Sequence, residues 1–99
     1  MDYLVEFVIN IPDDTPPAEI EQRLAGETTR VAEFAAQGHA LRVWKPLPED
    51  GRQRALGLYR AASGEELEAI LDSLPLRPWT EISVTALAEH PNDPARSAA

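Results

Sequence analysis

Cysteine is absent from the 99 residues of this chain. That excludes disulfides, thiolate nucleophiles and cysteine-ligated metal, and it leaves the redox compartment open. Positive charge is scarce, with Lys+Arg 9 against Asp+Glu 17 and a net charge of −8. Nonspecific attraction to nucleic acid or to an anionic membrane is therefore not expected. Long apolar runs are missing too. The stretch from Tyr3 to Ile11 is interrupted by Glu6 and Asn10 and carries no basic leader, so neither a spanning helix nor a signal peptide is expected. The default is a soluble cytoplasmic protein. His39 and His90 lack metal-ligand spacing, no Gly-rich loop follows a strand, and neither a metal, a nucleotide nor another cofactor is expected. The places of the two histidines, after a helix stop and in the tail, favour structural or exposed roles over proton relay.

The length allows one domain with a modest core, which self-association would complete. Tyr3 to Ile11 alternates Tyr3, Val5, Phe7 and Ile9 against a mixed face and reads as a first strand. A turn cluster from Pro12 to Pro17 follows, in which Thr15 can cap a helix and a proline can occupy its first turn. That helix runs to about Gln37, where Gly38 stops it. His39 to Lys45 reads as a second strand, with Ala40, Arg42 and Trp44 on one face and Leu41 and Val43 on the other. Pro46 to Gly51 is a loop, and Arg54 to Ala61 a third strand. Ser63 with Glu66 forms a capping-box pattern before a second helix that ends at Leu74 and buries Leu67, Ile70, Leu71 and Leu74. Thr80 to Leu87 alternates as a fourth strand. The order βαββαβ is the α+β, ferredoxin-like arrangement, one sheet with both helices on one face. Leu4 and Val8 on the other face are too apolar for water, so a second subunit's sheet is expected to cover it, making a dimeric α+β barrel. The domain spans residues 1–90, and 91–99 form a polar tail that builds no core.

The first helix contains the most informative residue. Ile20, Leu24, Glu27, Val31 and Phe34 recur at spacings of three and four, the period of one helix face, and the third is a carboxylate. Placing a carboxylate on a core-facing stripe costs several kcal/mol unless it is paired, hydrogen-bonded or protonated. Desolvation would raise its pKa toward the range of a general base at neutral pH. Alternatively Glu27 lies at the stripe's edge, reaching solvent or pairing with Arg23 or Arg30. Gly26, beside it, weakens the helix by roughly 1 kcal/mol relative to Ala. It either lets a ligand or another backbone come close or serves packing on the sheet.

The segment Leu74-Pro75-Leu76-Arg77-Pro78-Trp79, followed by Glu81, by Ile82-Ser83-Val84 and by His90-Pro91, resembles the Leu-Pro-Leu-x-Pro-aromatic signature of the muconolactone isomerase family. The resemblance extends to Gly38, to Val43-Trp44-Lys45 and to Glu27, covering about residues 1 to 94. It implies a cofactor-free isomerase of aromatic catabolism that moves a proton across an allylic lactone to give the enol-lactone of 3-oxoadipate. It also implies assembly as decamers built of dimers, and it places the catalytic glutamate at Glu27. The chain departs from the family at Lys45, where arginine is usual, at a longer Pro46 to Asp50 loop, and at Ala55, where many members carry a polar amide.

Arg42, Lys45, Arg52 and Arg54 concentrate positive charge in strand two, the loop and the start of strand three. In an acidic protein such a cluster either holds a substrate carboxylate near Glu27, Arg42 being favoured and Arg52 next, or pairs with acids at an edge or interface. Trp44 and Trp79 fit core or interface positions better than substrate platforms, although Trp44 shares the expected substrate-binding strand. Three functions follow: an isomerase acting on a lactone or carboxylate, an isomerase or cyclase of natural-product biosynthesis, or a noncatalytic ligand-binding barrel. A Glu27 that faces an enclosed cavity containing a cation would favour catalysis; an exposed Glu27 would favour the noncatalytic module.

Overall fold

A computed structural model describes residues 1–95. The chain forms β1 (Asp2–Ile9), α1 (Pro17–Ala36), β2 (Ala40–Trp44), β3 (Gln53–Arg60), α2 (Gly64–Asp72), a short 3-10 turn (Arg77–Trp79) and β4 (Thr80–Leu87). The strands pair antiparallel in the order β2-β3-β1-β4. This is the ferredoxin-like topology that the element order implies. No described helix is long and apolar enough to cross a membrane.

Local chemistry sets the element ends. Pro17 occupies the first turn of α1, where its missing N–H is no loss, but Pro16 is the capping residue and no side chain caps the helix. Thr15 therefore does not cap; its N–H instead donates to Pro12 O in the preceding turn. At the other end Gly38 adopts φ +84°, its N–H donates to Ala35 O, and the His39 N–H donates to Phe34 O at 2.8 Å. That pair of bonds is a Schellman stop, and it needs a residue without a Cβ penalty at the left-handed position. On α2, Ser63 Oγ accepts from the Glu66 N–H while the Glu66 carboxylate accepts from the Ala62 N–H, one residue ahead of the cap.

Tyr3, Val5 and Phe7 of β1, Tyr59 of β3, Phe34 of α1 and Leu67, Ile70 and Leu71 of α2 form the core, so both helices cover the same sheet face. Each such side chain contributes about 1.5–3 kcal/mol on burial. The α1 stripe is only partly absorbed. Phe34 is buried and Val31 packs against the core, whereas Leu24 is 42% exposed. β2 also departs from strict alternation. A register shift between Ala40 and Arg42 puts Ala40 opposite Tyr59 and Val43 opposite Gly57, on the helix side. Arg42 and Trp44, opposite Leu58 and Leu56, face the other way. A bulge of this kind reverses which residues share a face. The second face of the sheet carries Leu4, Val8, Leu56 and Leu58 with Trp44 and Leu87.

Candidate active site

α1 and the segment after α2 meet at Gly26. A Cβ there would lie 3.2 Å from Pro75 Cγ, closer than carbon atoms pack comfortably. The glycine thus admits the proline ring of the segment after α2, a packing role, though against that segment rather than the sheet. Side chains of α1 then fasten that segment. Arg23 donates to Pro75 O at 2.7 Å and lays its guanidinium 4.9 Å from the Trp79 ring, and Arg30 donates to Ser73 Oγ at 3.3 Å. The Asn10 N–H donates to Trp79 O at 2.7 Å, tying the far end to β1.

The consequence is a fixed Leu76 N–H directed at α1, where it donates to Glu27 Oε1 at 3.0 Å. Glu27 is half-buried, and no cation pairs with it among the described residues. Arg23 pairs with Glu19 and Arg30 with Glu33 instead. Desolvation pushes the Glu27 pKa above the ordinary carboxylate value, outweighing the opposite pull of the Leu76 N–H. One N–H bond is too little to replace the hydration lost.

Glu27 borders a cavity of about 320 Å³ between α1, the sheet and the 3-10 turn. Its walls are apolar, from Phe7, Ile9, Val31, Val43 and Leu76, and Glu27 is its only charged residue. The size and lining suit a small ligand oriented by a few polar groups. Ala55 lies in the wall and adds no polar group to it. Three polar side chains remain. Thr28 and Thr80 bond the carbonyls of Leu24 and Leu76. Tyr59 is the third, its phenol pKa pushed up to about 12 by burial and by the charge of Glu27.

The basic residues are not in this cavity. Lys45, Arg52 and Arg54, with Trp44, border an adjoining open cleft that shares Ile9, Val43 and Ala55 with it. Lys45 is paired with Glu49, and Arg54 with Asp50 at 3.6 Å and with Pro48 O at 3.2 Å. The Arg52 side chain has no acidic partner among the described residues. Arg42 does not approach Glu27: the bulge turns it to the opposite face, where its guanidinium lies 5.0 Å from the Trp44 ring. Among the described residues no group of three or more His, Asp and Glu could hold a metal.

Sequence reasoning found Glu27 and the loop cations but missed Tyr59, Thr80 and the apolar walls. A strand position does not reveal which end of a sheet a helix covers. The Gly57-x-Tyr59 spacing was the available signal, because it places a bare backbone under a large ring.

Known proteins resemble this chain in sequence and in backbone. The sequence model of muconolactone delta-isomerase matches residues 1–93. A muconolactone delta-isomerase of Cupriavidus pinatubonensis is 30% identical over 90 residues, covering 91% of this chain and 95% of that protein. One of Acinetobacter baylyi is 29% identical over 90 residues, covering 91% of each. The crystal structure of a muconolactone isomerase superposes with a TM-score of 0.84 at 25% identity, covering 98% of both chains. A dimeric ferredoxin-like protein of Thermobifida fusca shares the fold alone, with a TM-score of 0.51 at 13% identity. With its sequence matched from end to end of the folded domain and its backbone superposed throughout, this chain belongs to the muconolactone delta-isomerase family.

Proposed function

We propose that the chain is a cofactor-free isomerase that shifts a proton on an unsaturated lactone or related carbonyl compound, with Glu27 as the general base. The observation that carries this reading is a half-buried carboxylate, held by one backbone N–H and raised in pKa, at the edge of an apolar cavity of about 320 Å³. The carboxylate takes a proton vinylogous to the carbonyl, the double bond moves, and the proton returns at the far end of the conjugated system. One base suffices when apolar walls keep water from exchanging the held proton. Relatives named muconolactone delta-isomerase support a lactone as substrate. Membership of that family supports the wider reading of an enzyme of aromatic catabolism in the cytoplasm.

Arg52, the cation of the adjoining cleft without an acid partner, is the best placed to hold a substrate carboxylate, ahead of Arg42. Lys45 and Arg54 are occupied by Glu49 and Asp50. That occupation, with Ala55 in the cavity wall, favours a second substrate class: a less polar natural-product intermediate, isomerised or cyclised by the same base. A noncatalytic binding module fits less well, since Glu27 is withdrawn from water beside a cavity, although the cation lies next door rather than within it. The apolar second face of the sheet supports a homo-oligomer built on a face-to-face dimer.

The test is Glu27→Gln, which preserves shape and removes the base. Turnover of an unsaturated lactone acid should fall at least roughly a hundredfold, the scale of general-base catalysis, with circular dichroism unchanged. Undiminished turnover in the variant would reject the assignment.

A further inference from the structure

Tyr59 is only 1% exposed and ranks among the largest fully buried side chains. A buried tyrosine hydroxyl ordinarily finds a hydrogen-bond partner, yet that of Tyr59 has none among the described residues. No buried polar side-chain atom of these residues is sealed off without a partner, so the unpartnered hydroxyl keeps some open space, and the cavity that Tyr59 lines with Glu27 is the opening beside it. Gly57 sets its aim. A Cβ at Gly57 would lie 2.6 Å from Tyr59 Cε1 and 3.1 Å from Cδ1, so the ring lies over the bare backbone with its hydroxyl end furthest along β3, toward Ala55. Phe7 holds the ring from the side, with centroids 6.2 Å apart.

We propose that Tyr59 donates a hydrogen bond to the substrate's carbonyl oxygen and stabilises the dienolate formed when Glu27 removes the proton. The inference rests on the base reading of Glu27 and adds the group that receives the developing charge. Oε1 of Glu27 is held by Leu76, which leaves Oε2 for the proton. The C–H bond breaks, its electron pair enters the conjugated system, and negative charge collects on the carbonyl oxygen. Tyr59 keeps its own proton and gives only the hydrogen bond. Oε2 then returns the proton to the distal carbon and the carbonyl re-forms, so no oxidant or further reactant is needed. Burial and the Glu27 charge both disfavour phenolate, so the donor stays protonated across the working range. A donor aimed at charge that develops only during reaction stabilises the transition state more than the bound substrate.

Tyr59→Phe in the full-length protein keeps the ring and removes the donor. Its kcat should fall about 100-fold, as for loss of one oxyanion donor, while KM and the acid limb of the rate profile stay near those of the unmodified protein. A purely structural tyrosine would instead lower the melting temperature and leave kcat in place. A second measurement does not need turnover: the infrared carbonyl band of a 13C-labelled unsaturated lactone acid bound to Glu27→Gln protein should move to higher frequency when Tyr59→Phe is added. A kcat within threefold of the unmodified protein, or an unmoved band, overturns the donor role. If Glu27→Gln is inactive and Tyr59→Phe is normal, the base reading survives and only the donor fails. If Glu27→Gln turns over but Tyr59→Phe does not, the donor stands and the base lies elsewhere.

Discussion

Replacing Gly26 with alanine separates the helix from the site it serves. In a helix interior alanine is favoured over glycine by about 1 kcal/mol. The new Cβ would meet Pro75 Cγ at 3.2 Å and Pro75 Cβ at 3.6 Å. Carbon atoms rest at about 3.5–4.0 Å, so Pro75 must retreat by roughly 0.3–0.8 Å. It cannot do so alone, since Pro75 O is bonded to Arg23 at 2.7 Å and the next N–H is bonded to Glu27 at 3.0 Å. A retreat of that size carries the Leu76 bond toward or past the limit of a useful hydrogen bond. A bond to a charged group is worth about 1.5–3 kcal/mol, so its partial loss offsets the helix gain. Urea melts of Gly26→Ala should therefore show no net stabilisation or a loss of up to about 2 kcal/mol, the difference of those two terms. The kinetic signature is sharper. The Leu76 N–H is the contact that lowers the Glu27 pKa, so weakening it leaves desolvation less opposed and moves the acid limb of kcat/KM to higher pH. A variant stabilised by the full 1 kcal/mol or so expected of alanine, with its acid limb unmoved, would refute the claim that Gly26 positions the base.

Further outcomes follow from the same geometry. Because the folded-state pKa of Glu27 is raised, the native state holds its proton to higher pH than the unfolded chain does, and stability falls as pH rises through that interval. Glu27→Gln should hence melt above the unmodified protein at neutral pH and match it below the ordinary carboxylate pKa; a lower melting temperature at neutral pH would show that desolvation is not the dominant effect. Arg52 is exposed, so Arg52→Gln should raise KM for a lactone acid only about two- to fivefold, the worth of an exposed ion pair, and leave its methyl ester unaffected. Equal binding of acid and ester to the unmodified protein would remove the carboxylate-holding role. Leu58→Lys on the open sheet face should break the oligomer, as followed by light scattering, and a stable folded monomer of the unmodified chain would dismiss a dimer on that face.

What the sequence made legible is what local rules govern. The Gly38 stop and the Ser63 cap follow from backbone chemistry within a few residues, and alternation located all four strands. Glu27 stood out because an acid in an apolar stripe violates a period that needs no tertiary knowledge. Leu24 shows the limit of that period: it obeys the spacing and is 42% exposed. Arg42 failed for a different reason. Strict alternation placed it by counting, and one bulge between Ala40 and Arg42 sent it to the other face. Tyr59 was read as a strand residue since nothing in its neighbours in sequence says that Glu27, far from it in the chain, borders the same cavity. Register and helix placement are long-range properties, and the site depends on both.

The unfavourable choices in this chain are not scattered. A glycine weakens the middle of α1, a carboxylate beside it gives up much of its hydration, and a phenol across the cavity is buried without a protein partner. Each departs from what local folding rules favour. They are also coupled: Gly26 admits Pro75, Pro75 brings the Leu76 N–H to Glu27, and the charge on Glu27 helps keep Tyr59 protonated. Local conflict with folding rules is expected where a protein's chemistry is done. The proposed proton-moving site would account for them together, because a base must be desolvated to work near neutral pH, a donor left unbonded can meet the substrate, and the glycine lets in the segment whose backbone N–H holds the carboxylate.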